Sequence, residues 1–421
     1  MDALAEYVAA ARHAGELVVQ PRMGFTTLAR MRAGLEAVRA VPGRTVGTVT
    51  VDSFTRVNDH AAPARALARG TELNGFPLVN HGSRATRDLV ADLQEAGFPI
   101  QVRHGSALPW SILAVLLDAG ITATEGGPVS YCLPYGRLPI RQAVDGWARG
   151  VELCASGAPD GFHLESFGGC LLGQLCPPGL LVAVAILEGL FFREHGITSI
   201  SFGYTQQSSF EQDAEALAAL RLLAAQLLPD VTWHVVLYTF MGLFPRTPSG
   251  ARELLGQSVR LALRSGSERL IVKTSAESVG IPAVEQNVEA LTYAARLAAS
   301  LRGQDAAAPP PGFAERAEEI RREALAFIEA TLELSEDVGE ALARAVLRGY
   351  LDVPFCLHPD NAKLARSALS PDGRVEWVGY GKLPIPRAAP RHRPAEPSSD
   401  ELLRMLAYNR RRFDAAGAGP P

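Results

Sequence analysis

Thr48-Val49-Thr50-Val51-Asp52-Ser53-Phe54-Thr55-Arg56 is the stretch that decides the fold. Its first four residues are all β-branched, the composition of a strand buried on both faces, and an arginine follows shortly after. Two other segments repeat the arrangement, Val18-Val19-Gln20-Pro21-Arg22 and Ile100-Gln101-Val102-Arg103-His104-Gly105. Each guanidinium falls at or just past the C-terminal end of a strand. In a parallel α/β barrel, that end is the face on which the active site is built. Three guanidinium groups converging there suit a small molecule carrying more than one carboxylate or phosphate. Their charge also opposes a divalent metal in the same place.

Strand and helix patterns alternate outward from these segments, from Leu17 to about Ser300. Strand candidates end near Arg22, Asp52, Asn80, Arg103, Glu125, Phe167, Tyr204, Met241 and Thr274. Helical stretches such as Ala85–Ala96, Gln142–Cys154 and Glu211–Leu228 lie between them. Such repetition implies an α/β fold with a parallel sheet, closed or doubly wound. Pro21-Arg22-Met23-Gly24-Phe25 lacks the glycine-rich dinucleotide fingerprint, which weakens the doubly wound option. The expected architecture is a (β/α)8 TIM barrel over residues 1–304, with one of the nine strand candidates lying outside it. Residues 305–312 form a linker, 313–386 a C-terminal helical and irregular extension, and 387–421 a Pro-rich linker and tail.

Composition narrows the function. A formal net charge of −4 and a pI near 6.2 point away from nucleic acid and anionic membranes. The five cysteines have no metal-type spacing, and they read as buried thiols of a reduced, cytoplasmic chain. Met1–His13 does not resemble a signal peptide. The most apolar run, Gly179 to Phe192, contains Glu188 and is too short to span a bilayer; it suits a buried helix.

Further polar groups sit at strand ends. Glu125 falls on the same face as the arginines, followed by Tyr131 and Tyr135, and Lys273 precedes Glu277 by four positions. Glu125 reads equally well as the partner of a neighbouring arginine or as a substrate group. Lys273 and Glu277 read equally as an ordinary i,i+4 pair. Several arginines against carboxylates, with one glutamate against an ammonium, describe an amino dicarboxylate or a similar anion. Two other readings compete. One is a metal-dependent barrel lyase or hydrolase using Asp52, His81, His104, Glu125 and His163. The other is an inactive homologue retained as a binding partner.

Gln20-Pro21-Arg22, Asp52 through Arg56, Asn74-Gly75-Phe76-Pro77, Arg103-His104-Gly105 and Glu125-Gly126-Gly127 through Tyr135 together resemble one family, the large (epsilon) subunit of glutamate mutase. Phe167-Gly168, Met241 through Pro245, Val272-Lys273-Thr274 through Pro282 and Asp352 through Phe355 extend the resemblance in order along nearly the whole chain. It implies a (β/α)8 barrel that isomerises L-glutamate and (2S,3S)-3-methylaspartate by an adenosylcobalamin-dependent radical mechanism. It also implies that Arg22, Arg56 and Arg103, with His104 beside them, hold substrate carboxylates. Glu125 would accept from the substrate ammonium, assisted by Tyr131 and Tyr135. Lys273 and Glu277 would hold the adenosyl ribose; Gly24, Asn74, Pro134, Phe244 and Ile281 would line the cofactor. Phe167 and Met241 would pack around the reacting centre. The family's cobalamin-anchoring Asp-x-His-x-x-Gly motif does not occur here. The resemblance therefore implies a separate small, sigma-type cobalamin-binding subunit, assembled with this chain as a heterotetramer. Departures include Phe54 where tyrosine is expected, Pro128 and Leu243 where glycine is common, and a tighter segment between Arg56 and Asn74.

Overall fold

The structure, a computed structural model, describes residues 2–278, 280–303, 308–386 and 398–417. Nine short parallel strands form one sheet: β1 (Val18–Pro21), β2 (Arg44–Thr45), β3 (Gly47–Thr50), β4 (Ile100–Arg103), β5 (Ala123–Gly126), β6 (His163–Gly169), β7 (Ser199–Thr205), β8 (Thr232–Tyr238) and β9 (Arg269–Val272). Their order is β2-β1-β9-β8-β7-β6-β5-β4-β3. The two ends of that order meet in sequence. β2 pairs with β1, placing Arg44 opposite Val18, whereas β3 pairs with β4, placing Gly47 opposite Ile100. Only Val46 separates them, and its N–H still donates to the Val19 carbonyl at 3.3 Å. β2 and β3 are thus two halves of one strand, and the sheet is an eight-stranded (β/α)8 barrel.

The surplus strand candidate is the one ending at Asn80. Phe76 makes a single parallel bridge to Val51, and the helix Leu78–Glu95 begins immediately after Pro77. A four-residue apolar run carries too little periodicity to separate a strand from a first helical turn. Strand β8 also stops at Tyr238, short of the expected end near Met241.

The apolar run Gly179–Phe192 lies in the helix Pro178–Glu194, buried on every side. Its inner face packs on β6 and its outer faces on the helices Phe210–Leu227 and Phe313–Leu332. A helix covered all round has no need of a polar stripe, which explains its composition. The helix Phe313–Leu332 opens the C-terminal extension, followed by the helix Val338–Arg348 and an antiparallel hairpin, β10 (Ala365–Leu369) and β11 (Val375–Tyr380). Arg316 and Arg374 both pair with the fully buried Glu215, and Trp377 Nε1 donates to Glu323 at 3.0 Å. Between helix and hairpin, Asp352 accepts the N–H groups of Lys363, Leu364 and Ala365 at 2.6–2.8 Å. That bracket shapes the segment reaching back to the barrel. There Cys356 Sγ lies 3.3 Å from the Leu133 carbonyl and His358 Nε2 3.0 Å from that of Leu138.

Residues 305–307 of the expected linker and the Pro-rich stretch 387–397 lie outside the described residues. Part of the stretch expected as linker and tail, 387–421, is helical. Ser398 caps the helix Ser399–Leu406, a second helix spans Tyr408–Gly417, and Phe413 is buried against Phe240, Phe244 and Leu254. Spaced apolar residues within a polar, arginine-rich segment gave a weak signal that tertiary packing overrides. Among the described residues, all five cysteines are buried and free, and no helix is long and apolar enough to cross a membrane.

Candidate active site

The C-terminal ends of the strands gather the charged groups. Arg22 directly follows β1, Arg103 ends β4, and Arg56 sits in a short 3-10 turn, Thr55–Val57, beyond β3. Asp52 builds that turn: fully buried, it accepts the N–H groups of Phe54 at 2.9 Å and Thr55 at 3.1 Å, and the Thr55 hydroxyl. Asp52 thereby spends its acceptor capacity on the loop presenting Arg56, so the sequence motif Asp-Ser-Phe-Thr-Arg works as a capped turn.

The three arginines differ in their partners. Arg103 Nε donates to Glu125 at 2.6 Å, with both side chains buried and the guanidinium 5.1 Å from the centre of the Tyr238 ring. Arg22 reaches Glu277 at 3.1 Å. Arg56 has no carboxylate within ion-pair distance among the described residues; its Nε donates only to the Val51 carbonyl, at 3.3 Å. Burial lowers the Arg56 pKa, and the charges of Arg22 and Arg103 lower it further against the opposing pull of Tyr131 and Tyr135. A partly buried cation facing two like charges is an open position for an anion.

Glu125 is the acceptor centre. Tyr131 donates to its Oε1 and Tyr238 to its Oε2 at 2.8 Å. Burial works to raise its pKa, but Arg103 and the two hydroxyls outweigh this and leave it lowered, so Glu125 stays ionised. His104 is buried, stacked on Trp147 with ring centres 5.6 Å apart. Its Nδ1 accepts the Ser106 N–H at 3.0 Å, which assigns the proton to Nε2. Burial pushes its pKa down to about 4, so the ring is neutral, and Nε2 has no partner among the described residues. Arg22 Nε and the hydroxyls of Thr50, Thr239 and Thr274 are likewise buried without partners at this end of the barrel. Orphaned donors are rare in native interiors, and several at one strand-end face mark a place for a polar occupant.

Lys273 follows β9 and lies 3.3 Å from Glu277, which also holds Arg22. The ammonium sits 4.6 Å from the centre of the Phe244 ring, and burial brings its pKa down to about 8. Phe167 packs on Tyr131 at 5.2 Å between ring centres, and Tyr135 meets Tyr131 edge-on at 5.9 Å from a solvent-exposed position. Met241 lies against Gly173, and Gly24 is packed so closely on β3 that a Cβ would come within 2.2 Å of the Thr50 carbonyl oxygen. Asn74 and Ile281 are exposed and Pro134 is half-buried.

Residues proposed for a metal centre scatter instead. His81 bonds the Thr26 carbonyl at 2.8 Å, Asp52 is committed to its turn, and His163 lies at the opposite end of the barrel between Ser199 and Ser201. No group of three or more metal-ligating side chains occurs among the described residues.

Beneath the arginines runs a polar layer that sequence reasoning missed. Arg269, fully buried, bonds Glu165 at 2.5 Å, Gln20 at 2.5 Å and Gln101 at 2.8 Å. Tyr238 joins this layer to the site by contacting both Glu165 and Glu125. Isolated polar residues inside apolar strands were the available signal, but their partners lie up to 249 positions away in the chain.

The model of the methylaspartate mutase E chain family matches residues 2–395. The chain belongs to that family. It is 31% identical over 389 residues to the glutamate mutase epsilon subunit of Halobacterium salinarum, covering 90% of this chain and 80% of that protein. It is 33% identical to the epsilon subunit of Haloarcula marismortui, over 89% of this chain and 77% of that protein. The Escherichia coli O157:H7 epsilon subunit is 30% identical over 89% of this chain and 79% of its own length. Membership makes this chain a glutamate mutase large subunit and gives it a mutase role within a multi-subunit enzyme. A truncated 3-deoxy-D-arabino-heptulosonate 7-phosphate synthase from Thermotoga maritima overlaps 68% of this chain and 87% of its own at a TM-score of 0.38 and 12% identity, a likeness too low to add to the strand pairing itself.

Proposed function

We propose that this chain is the catalytic subunit of an adenosylcobalamin-dependent mutase interconverting L-glutamate and (2S,3S)-3-methylaspartate. The observation that carries the reading is Arg56, a cation with no carboxylate partner among the described residues, placed beside two more guanidinium groups and an ionised, Tyr-anchored glutamate. Arg56 and Arg22 take the substrate carboxylates, with Arg103 fixing the geometry through Glu125. The neutral His104 donates from Nε2. Glu125 accepts the substrate ammonium on an oxygen edge already oriented by Tyr131 and Tyr238. Multiple charge-assisted bonds hold both ends of a rearranging skeleton in register, and Phe167 and Tyr131 exclude water from between them.

The residues present fit the cofactor. Adenosylcobalamin, when bound, supplies the radical that starts the rearrangement. Glu277 can accept from ribose hydroxyls and Lys273, beside the Phe244 ring, can donate to their oxygens; in this reading Gly24, Asn74, Pro134 and Ile281 complete the lining and Met241 packs at the reacting centre. The rim fits a covering partner as well. Phe54 and Val57 follow β3, Trp110 follows β4, Tyr135 follows β5 and Ile281 follows β9; all are exposed. Leu357, 87% exposed, stands on the segment bound to the Leu133 and Leu138 carbonyls. Large apolar side chains ringing a polar mouth are a surface made to be covered. The occupant is a small sigma-type cobalamin-binding subunit in a heterotetramer, and the free thiols suit the cytoplasm.

The test mixes the purified chain with adenosylcobalamin and a small glutamate-mutase-type cobalamin subunit and assays L-glutamate for 3-methylaspartate. Product only from the complete mixture is expected. Assembly with bound cobalamin but no product from L-glutamate overturns the substrate; failure to assemble with a cognate subunit overturns the reading.

A further inference from the structure

Halfway along the otherwise apolar run of the helix Pro178–Glu194, Glu188 is completely buried. Its Oε1 accepts the N–H groups of Val129 at 3.2 Å and Ser130 at 2.8 Å. Its Oε2 accepts the hydroxyls of Ser130 and Ser166, each at 3.0 Å. All four donors lie on the two segments that deliver the aromatic wall of the site. Ser130 immediately precedes Tyr131, and Ser166 immediately precedes Phe167. Gly127 leaves room for the carboxylate: a Cβ there would lie 2.1 Å from its carboxyl carbon.

Packing alone does not account for this residue. A leucine or methionine would fill the same helix face without the desolvation cost of a carboxyl group. Four converging donors are what the acid supplies partners for, and losing it would leave two backbone N–H groups and two hydroxyls buried and unpaired. We propose that Glu188 is a positioning residue for the ammonium-binding side of the site. It locks Gly127–Tyr131 to Ser166 and Phe167 of β6, so that the Tyr131 hydroxyl meets Glu125 and the Phe167 ring backs Tyr131. This rests on the reading of the barrel mouth as the substrate site.

The carboxyl also has a titration of its own. Burial raises its pKa to about 7 against the opposing hydrogen bonds of Ser130, Ser166 and Val129. Protonation removes an acceptor, so the lock weakens as pH falls through about 7. Other site groups titrate elsewhere: His104 at about 4, Lys273 at about 8, and Glu125 below its ordinary value.

The experiment uses the reconstituted complex with adenosylcobalamin and compares Glu188→Gln and Ser166→Ala with the unmodified chain. For Glu188→Gln, KM for L-glutamate should rise at least 10-fold with kcat changed less than 3-fold, and the limb of kcat/KM near pH 7 should disappear. Ser166→Ala should raise KM about 3-fold and keep that limb. Unchanged KM and an unchanged pH profile in Glu188→Gln overturn the proposal. If Glu188→Gln fails to fold, an unchanged KM in Ser166→Ala overturns it. Absence of turnover from the unmodified complex would instead refute the mutase reading on which it rests.

Discussion

Arg56 and Arg103 belong to one cluster, yet replacing each by methionine should move stability in opposite directions. Arg103 is buried with Glu125 at 2.6 Å, so Arg103→Met leaves an ionised carboxylate without its cation. Breaking such a pair costs roughly 3–5 kcal/mol. At roughly 2.1 cal/mol/K of unfolding entropy per residue, this amounts to a fall in Tm of about 3–6 °C for a chain of this length. Arg56 has no carboxylate to abandon among the described residues, and burial together with Arg22 and Arg103 already disfavours its charge. Arg56→Met therefore removes a like-charge repulsion while its three-carbon stem is largely replaced, and Tm should hold or rise. Substrate should feel the loss instead. One or two charge-assisted bonds to a carboxylate are worth roughly 2–3 kcal/mol, so kcat/KM for L-glutamate should drop about 30- to 150-fold. Calorimetry of both variants beside kinetics of the reconstituted enzyme checks the contrast. An Arg56→Met chain that melts as early as Arg103→Met would show Arg56 to be a structural brace and refute the open-anion-site argument.

Glu125→Gln should retain assembly with the partner while lowering kcat/KM about 100-fold, because the amide keeps the shape and loses the charge that meets an ammonium. Binding of the small subunit by titration and turnover separate the two effects. Lys273 loses its proton near pH 8, so affinity for adenosylcobalamin in the assembled enzyme should weaken as pH rises through about 8; in Lys273→Met that dependence should vanish. Stability moves the other way: between about 8 and its ordinary value the unfolded state binds the extra proton, so the Lys273 contribution to folding improves with rising pH. Leu357→Glu should leave Tm within about 1 °C, since a change at an exposed site away from special contacts is nearly neutral. It should raise the Kd for the small subunit at least 10-fold, read by isothermal titration; an unchanged Kd places the docking surface elsewhere.

Much of the barrel was legible because its strands are short, β-branched and closed by abrupt polar residues, which is how Arg22, Arg56, Arg103, Glu125 and Lys273 announce themselves. Boundaries failed where the local signal is degenerate. Leu78-Val79-Asn80 reads equally as a strand end or a helix start, and only the bridge of Phe76 to Val51 beside the Pro77 break resolves it. The division of one strand into β2 and β3 was invisible because it arises from partners on both sides, not from Val46 itself. Glu188 stood out in an apolar run, but an acid in a helix says nothing of the four donors brought to it from strand β6 and the loop after β5. Tyr238 was hidden more deeply, its hydroxyl serving Glu125 from 113 residues away.

Charge balance explains why this mouth selects for its occupant. Four cations, Arg22, Arg56, Arg103 and Lys273, face two carboxylates, Glu125 and Glu277, and share them unevenly: Glu277 serves both Arg22 and Lys273, Glu125 serves Arg103, and Arg56 is left over. A molecule with one carboxylate and one ammonium could satisfy Glu125 and either Arg56 or Arg22, but would leave the other guanidinium under-compensated in a poorly solvated site. A second carboxylate at the far end of a short chain removes that penalty. Both proposed substrates carry two carboxylates and one ammonium, so the same three anchors can serve before and after the skeleton is rearranged. Discrimination against a monocarboxylic amino acid should consequently be large in wild type and collapse in Arg56→Met, because the group that makes a lone carboxylate insufficient is then gone.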